Sequence, residues 1–438
     1  MAAPTASGAR VGGRSLHNAL VYGVCVLLSF GPLAFGATES WSVAVLEIGT
    51  ALLMLLWMGK QLALGRVKVR LIPLYPPMAL LAALALFQFV TGMTAYRSIT
   101  LARAVLFLTY AAILFLVSHT LRSDRDLRLF STWFSVFGFL VALFAIAQVF
   151  TDKTGKLYWV RMPRFGSWTD GPYVDHSHYA GLMEMLLPLP LVLAVLGVER
   201  GPKRALLWLS AGTIAASIFL SQSRGGVLAM LIELAFLAAL TLPKTSLRRH
   251  HRRNFLLAAA AITFLAFVGW LGGETLLQRF SVVRQQDLMQ PGRPLILKDS
   301  LRLIARKPVT GWGLGTYPLV FPQFRSFYTS LFVNHAHDDY VEFIAETGLV
   351  GAAAIAWFLI ALYRAGLRKA RTQQSRIIDA MTLAALTSCT AIVAHSFWDF
   401  NLQIPANAAL FFAFCGLAAT PIIAPRVREQ ASGDGPHA

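Results

Sequence analysis

The chain has 438 residues, of which 56% are hydrophobic and only 14% charged, and its 39 Lys and Arg against 21 Asp and Glu give a net charge of +18. Soluble globular proteins usually carry about 25% charged residues, so the composition argues against a cytosolic enzyme. The basic residues are interleaved with long apolar runs and form no basic stripe on a polar domain, which argues against nucleic-acid binding. A polytopic membrane protein fits both facts, because Lys and Arg concentrate in its cytoplasmic loops.

A bilayer-spanning helix needs about 20 mostly apolar residues, and such stretches recur along the whole chain. The first one resembles a signal peptide, since Arg10 and Arg14 precede it, but another apolar run follows at once, which favours a spanning helix. The sequence predicts about twelve spans, near 18–37, 41–59, 73–92, 101–120, 130–150, 179–198, 205–221, 225–242, 255–272, 345–363, 377–397 and 404–424.

The basic residues alternate in abundance from one connection to the next. The termini and short connections on one side of the predicted membrane hold 24 of the 39 Lys and Arg, and basic loops stay in the cytoplasm. Both termini are therefore predicted inside, and the two long connections outside. The expected organisation is all-α, with helices 1–5 in 1–150, a first outside loop in 151–178, helices 6–9 in 179–272, a large outside loop in 273–344, helices 10–12 in 345–424 and a cytoplasmic tail in 425–438.

Arginines on the outside need an explanation other than topology. Arg161 and Arg164 lie among aromatic residues of the first outside loop; the aromatics suit an interfacial anchor, whereas the guanidinium groups suit an anionic ligand. Arg224, in SQSRGG, falls between the seventh and eighth spans. A charge at that depth is costly unless it snorkels to the interface, is paired or lines a wet cavity, and Gly225 and Gly226 allow a close backbone approach.

The large outside loop contains a predicted amphipathic helix near 294–305, directly after Arg293. An anion held by Arg293 would also be stabilised by the helix N-terminus. Further along, His335, His337 and Asp339 match the H-x-H-x-D spacing of binuclear zinc hydrolases. A local pair cannot complete a zinc site without distant ligands, so we expect no metal here.

Two further groups of polar residues fall at or inside predicted spans. His395 and Asp399 lie at the last outside connection, where a histidine is usually structural but is also on the same side as the arginines. Glu47, Glu184 and Glu233 fall within spans, and such groups are functional candidates or, in a transporter, proton-coupling groups.

The pattern resembles the O-antigen ligase and polymerase superfamily of bacterial envelope glycan assembly. The resemblance rests on SQSRGG at 221–226, on Arg293 before an outside helix, and on NHAHDDYVEFIAETGLVG at 334–351, and it covers roughly residues 150 to 410. In this family a His-Asn pair is commonly followed by an aromatic residue, a carboxylate and E-x-G-x-x-G. His337 matches that histidine, and Asp338 replaces the asparagine.

The resemblance implies a GT-C-like fold and a multi-pass enzyme of the inner membrane whose periplasmic active site moves a glycan from undecaprenyl diphosphate to an acceptor hydroxyl. It implies His337 as the catalytic base and Arg224, Arg293 and Arg164 as the diphosphate-binding residues. Possible supporting residues are Arg161, His335, Asp338, His395 and Asp399. The expected partners are the lipid-linked donor, lipid A-core or another glycan acceptor, and membrane lipids, with no nucleic acid, cofactor or required metal.

Four kinds of function remain open from the sequence. A ligase would complete lipopolysaccharide on lipid A-core, a polymerase of the same superfamily would join lipid-linked repeat units, and a protein O-oligosaccharyltransferase would use a Ser or Thr hydroxyl. From a different class, a twelve-span transporter or flippase would fit the hydropathy. The connection at 59–70 lacks the acidic-basic-Gly motif of major-facilitator carriers, and a large outside loop rich in His and Arg favours chemistry over transport.

Overall fold

The computed structural model describes residues 6–65, 67–151, 156–160, 171–241, 292–329, 332–372 and 375–421. These residues form a bundle of α-helices with short 3-10 turns at Phe35–Ala37, Phe321–Gln323 and Asn401–Gln403. The helices are α1 (Ala6–Leu33), α2 (Ser40–Ala63), α3 (Tyr75–Thr91), α4 (Arg97–Thr120), α5 (Asp124–Thr151), α6 (His176–Leu186), α7 (Pro188–Val195), α8 (Pro202–Leu220), α9 (Arg224–Thr241), α10 (Arg293–Arg306), α11 (Tyr317–Val320), α12 (Asp339–Arg371), α13 (Arg376–His395) and α14 (Pro405–Ala419).

The described part of the chain contains nine segments that are helical, long and apolar enough to cross a membrane, and α3 and α14 are shorter apolar helices. Together they correspond to eleven of the twelve predicted spans, and the remaining one, 255–272, lies outside the described residues. The amphipathic helix predicted near 294–305 is present as α10. The protein is therefore an all-α polytopic membrane protein, as its hydropathy predicts.

Local sequence determines where the helices near the candidate site begin. The Asp175 carboxylate accepts a hydrogen bond of 2.7 Å from the Ser177 amide at the start of α6. Asp338 does the same for α12, since its Oδ1 accepts from the amides of Tyr340 and Val341 at 3.0 Å each. Both side chains satisfy amides that the first turn of a helix leaves without partners.

Small residues allow α13 to occupy the centre of the bundle. This helix packs against α6, α7, α9, α12 and α14, and its sequence TLAALTSCTA is rich in Ala, Ser and Thr. Without large side chains the helix backbones approach closely, which is how spanning helices gain packing energy in a lipid environment. The end of α13 at His395 is consequently surrounded by the ends of several other helices.

A kink at Gly348 separates the first turns of α12 from its long spanning part. Gly348 has φ +64°, and a Cβ added there would overlap the carbonyl oxygen of Val309. The segment after α10 pairs with this break, because Leu349 donates to Pro308 O at 2.8 Å and Trp312 donates to Ala345 O at 3.0 Å. Helix α10 and the start of α12 are thereby held together.

Candidate functional site

The segment 395–401, HSFWDFN, connects α13 to the last 3-10 turn, and we call it the 395–401 loop. Tertiary contacts anchor its first residues. Ser396 Oγ donates to Asp339 Oδ2 at 2.8 Å, and the Asp339 amide donates to the Ser396 carbonyl at 2.9 Å. At its other end, Asn401 Oδ1 accepts from Asn407 at 3.0 Å. The loop is therefore fixed to the starts of both α12 and α14.

Arg293 lies at the first residue of α10 and contacts the 395–401 loop. Its Nη1 donates to the Trp398 carbonyl at 3.1 Å, and its side chain is exposed. One hydrogen bond leaves most of the five guanidinium N–H donors available to a ligand. The amides at the start of α10 add positive electrostatic potential at the same place.

Arg224 begins α9, and the glycines after it let this helix start pack closely against its neighbours. A Cβ added to Gly225 would lie 2.8 Å from His395 Nε2, and one added to Gly226 would lie 2.6 Å from Ala180 Cβ. The turn is held by Ser223 Oγ, which accepts from the Gly226 amide at 3.0 Å. The Arg224 side chain is exposed. SQSRGG therefore places an exposed arginine directly beside the 395–401 loop.

The first residue of this loop, His395, forms a buried pair of ionisable side chains with Glu184 of α6. His395 Nδ1 is 3.0 Å from Glu184 Oε1, and the two side chains are 1% and 0% exposed. A charged or strongly hydrogen-bonded pair at this depth is sustained only by mutual contact. His395 thus packs against Gly225, and it is too deeply buried to contact a large substrate.

His337 is the most accessible histidine of the site, with 37% of its side chain exposed. Its backbone φ of +56° is unusual for a residue with a Cβ. Its Nδ1 atom is buried and has no hydrogen-bond partner among the described residues, and it lies 3.9 Å from Asp399 Oδ1. This distance is too long for a hydrogen bond in the ligand-free protein.

Burial and the Arg293 charge favour the neutral form of the His337 imidazole. Burial and the nearby Arg293 charge lower the pKa of His337 from its ordinary value, and Asp399 opposes them. A lowered pKa means that the ring is an available proton acceptor at neutral pH. The geometry therefore suits a general base. Once His337 has accepted a proton, the Asp399 carboxylate stabilises the resulting imidazolium.

The Asp399 carboxylate lies close to two histidines. Its Oδ1 atom lies 3.8 Å from His178 Nε2 and 3.9 Å from His337 Nδ1, and it is 4% exposed. Phe400 packs against the same rings, with ring-centroid distances of 4.5 Å to His178, 4.1 Å to His335 and 5.1 Å to His337. The three histidines therefore surround one phenyl ring, and two of them face one carboxylate.

A different set from the H-x-H-x-D residues comes together with metal-like spacing. Asp175, His178 and Asp399 each bring one ligand atom within 4.8 Å of the others. His178 Nε2 and Asp399 Oδ2 are buried without hydrogen-bond partners among the described residues. These groups could hold a divalent cation, and Asp399 also lies within ion-pair distance of two imidazole rings, His178 at 3.8 Å and His337 at 3.9 Å.

Several predicted site residues have other local roles. His335 Nδ1 is 2.8 Å from Glu342 Oε1, and Asp339 is engaged by Ser396, so neither faces His337 as the H-x-H-x-D pattern would require. Asp338 caps α12, and burial raises the pKa of its carboxyl. Arg161 and Arg164 lie outside the described residues.

Sequence reasoning did not single out Asp175, His178 and Phe400 as site residues. His178 and Asp175 stand in DHSH at the start of α6, and Phe400 stands in FWDFN. A signal was present, because histidines and carboxylates are concentrated at three segments that connect the apolar runs of the chain. Their convergence on one phenyl ring is a tertiary contact that no local spacing encodes.

A comparison with known protein families found a match. A family model described as O-Antigen ligase matches residues 206–356, a range that includes Arg224, Arg293 and His337. No curated protein matches the chain. The match supports a relationship between this part of the chain and the O-antigen ligase superfamily.

Proposed function

We propose that the protein is an O-antigen ligase that moves a glycan from undecaprenyl diphosphate to a hydroxyl of lipid A-core at the periplasmic face of the bacterial inner membrane. The observation that carries the proposal is the 395–401 loop. It contacts Arg293 through the Trp398 carbonyl, it lies 3.9 Å from His337 through Asp399, and it adjoins Gly225 next to Arg224. Two cations and a neutral base around one loop suit transfer from a diphosphate to a hydroxyl.

The orientation of the proposed site follows from charge. The termini and short connections with 24 of the 39 Lys and Arg belong to the cytoplasm, so Arg224, Arg293 and His337 face the periplasm. Lipid-linked glycans on that side have no nucleotide sugar available, and the lipid diphosphate itself is the leaving group.

The reaction requires one displacement at the anomeric carbon. The acceptor oxygen forms a bond to that carbon as the bond to the diphosphate oxygen breaks, and the acceptor proton passes to His337. Because Nδ1 faces Asp399, the base is Nε2, and Asp399 stabilises the imidazolium as it forms. A single displacement inverts the anomeric configuration.

Arg224 and Arg293 act on the leaving group. Charge develops on the diphosphate in the transition state, and guanidinium groups already in place stabilise it without reorganisation. The forked donors of arginine match phosphate oxygens in a way that lysine does not. Arg164 would join them from the first outside loop. This chemistry uses no cofactor and needs no metal.

The test is reconstitution of the purified protein with an undecaprenyl-diphosphate glycan and separate acceptors, with products identified by mass. Product on lipid A-core supports the ligase, lengthened lipid-linked chains identify a polymerase, and glycosylated Ser or Thr identifies a protein O-oligosaccharyltransferase. Movement of the donor across the bilayer without any transfer would identify a flippase and contradict the proposal.

A matched pair of histidine variants tests the base. His337→Asn should lower transfer by about 10²- to 10⁴-fold, the usual contribution of general base catalysis. His176→Asn is the control, because the His176 side chain is 36% exposed at the start of α6 and its charge-pair partner is Asp175, at 3.8 Å. Equal activity of both variants, with both folded in the membrane, would refute the base assignment.

A further inference from the structure

A second cavity lies beside the candidate site and is formed by α3, α4, α12 and α14. Its volume is about 160 Å³, similar to engineered apolar cavities that bind benzene. Most of its wall is apolar, and Phe107, Tyr110, Phe358 and Phe412 provide stacked and edge-on aromatic contacts, such as the 5.6 Å stacking of Tyr110 on Phe412. Such a wall suits a hydrocarbon chain.

The cavity wall also carries polar groups, which belong to Arg103, Asp339, Glu346 and Gln403. Arg103 lies in the second turn of α4, where an ionisable group inside a span is costly unless it serves a ligand or a partner. Its aliphatic stem is pressed against Gly315, where a Cβ would overlap Arg103 Cγ, so the guanidinium has a defined position.

The polar groups of the cavity are incompletely satisfied. Arg103 is close enough to Glu346 for an electrostatic attraction between the two side chains. Its guanidinium nevertheless forms no hydrogen bond or ion pair with any residue in the described ranges. The Glu346 carboxylate instead accepts from the Tyr317 amide at 3.1 Å. Asp339 uses Oδ2 for Ser396 and Leu402, while its buried Oδ1 has no partner among the described residues.

The same aspartate connects this cavity to the candidate site. Asp339 follows His337 and Asp338 in sequence and is bonded to Ser396 of the 395–401 loop, and it also lines the cavity. A ligand chain in the cavity would thus emerge beside the loop that carries Asp399.

We infer that this cavity binds a short segment of the hydrocarbon chain of a phosphorylated glycolipid, next to a phosphate on Arg103, with a sugar hydroxyl donating to Asp339 Oδ1. The guanidinium supplies forked donors for phosphate, and an unpartnered carboxylate oxygen is the acceptor that a hydroxyl needs. The inference rests on the proposed function for its biological setting. Both the donor lipid and a lipid A-type acceptor have this chemistry, and the experiment separates them.

Photocrosslinking tests the inference directly. A benzophenone amino acid replaces Phe412 in the cavity wall or, as the control, Phe150, whose side chain is 64% exposed on α5. Each protein is incubated in nanodiscs with the lipid-linked donor, with lipid A-core or with phosphatidylglycerol, and adducts are identified by mass. The His337→Asn background prevents turnover, so binding is measured apart from catalysis.

We expect adducts at position 412 with the donor or with lipid A-core, well above those with phosphatidylglycerol and above those at position 150. Arg103→Gln should reduce these adducts by about tenfold or more, as expected for loss of a hydrogen bond to a charged group. The matched variant Arg97→Gln, an exposed arginine on the same helix, should leave them unchanged.

Equal adduct formation with phosphatidylglycerol, equal effects of the two arginine variants, or no adducts above the position 150 control would each overturn the inference. The result is independent of the proposed transfer reaction. If glycolipid adducts form but the protein with native His337 transfers no glycan, the proposed function is contradicted and the cavity assignment stands. If glycan transfer occurs but no adducts form, the cavity assignment is contradicted and the proposed function stands.

Discussion

The Asp399–His337 pair makes the most demanding prediction. Asp399→Asn keeps the size of the side chain but removes the charge that lies 3.9 Å from His337 Nδ1. In the proposed mechanism this charge stabilises the imidazolium that forms when His337 takes the acceptor proton. Removing the charge should therefore raise the barrier to transfer without abolishing binding of the donor.

The geometry gives the magnitude. Two unit charges about 4 Å apart interact by about 4 kcal/mol at an effective dielectric constant of about 20. The His337 side chain is 37% exposed, so solvent screening reduces the useful part to about 2 kcal/mol. At about 1.4 kcal/mol for each factor of ten in rate, Asp399→Asn should lower kcat about 30-fold.

The assay is the initial rate of glycan transfer by purified protein in nanodiscs, with KM for the donor measured separately. Asp399→Glu retains the charge and should recover part of the rate. Asp338→Asn is the neighbouring control, because asparagine caps α12 as well as aspartate does, and it should remain active. A folded Asp399→Asn protein with a kcat within about threefold of the original, or a loss confined to KM, would refute the reasoning about screening and charge.

Three further outcomes are expected. Burial and Arg293 lower the pKa of His337, so its neutral form persists below the ordinary histidine pKa. The acid limb of the kcat/KM–pH profile should therefore lie below about pH 6.5. An acid limb well above that value would contradict the assignment of His337 as the base. Gly225→Ala should destabilise the fold by about 1–3 kcal/mol and raise KM for the donor, because the new Cβ would lie 2.8 Å from His395 Nε2. In the control Gly212→Ala the new Cβ meets no atom within 4 Å, so thermal unfolding and transfer should be unchanged. Chelation should leave transfer unchanged, and a loss restored by a divalent cation would instead make Asp175, His178 and Asp399 a metal site.

Features that depend on local sequence were predictable in this protein. Hydropathy runs correspond to helices because a helix satisfies its own backbone within one segment, and eleven of the twelve predicted spans are helical in the described ranges. The amphipathic period of α10 and the glycines after Arg224 were equally visible, since each expresses a constraint within a few residues. The match of residues 206–356 to the O-Antigen ligase family agrees with the motifs that carried the resemblance.

Tertiary packing decided what could not be predicted. Asp338 and Asp339 look alike in sequence, yet one caps α12 and the other bonds Ser396, because their roles depend on where α13 ends. His178 and His337 face one carboxylate although 159 positions separate them in the numbering. Such contacts arise where several helices end around the 395–401 loop, and the periodicity of a single helix carries no information about which end meets which. The sequence alone thus determined the spans and their basic connections, while the three-dimensional packing of helix ends determined which titratable groups share a site.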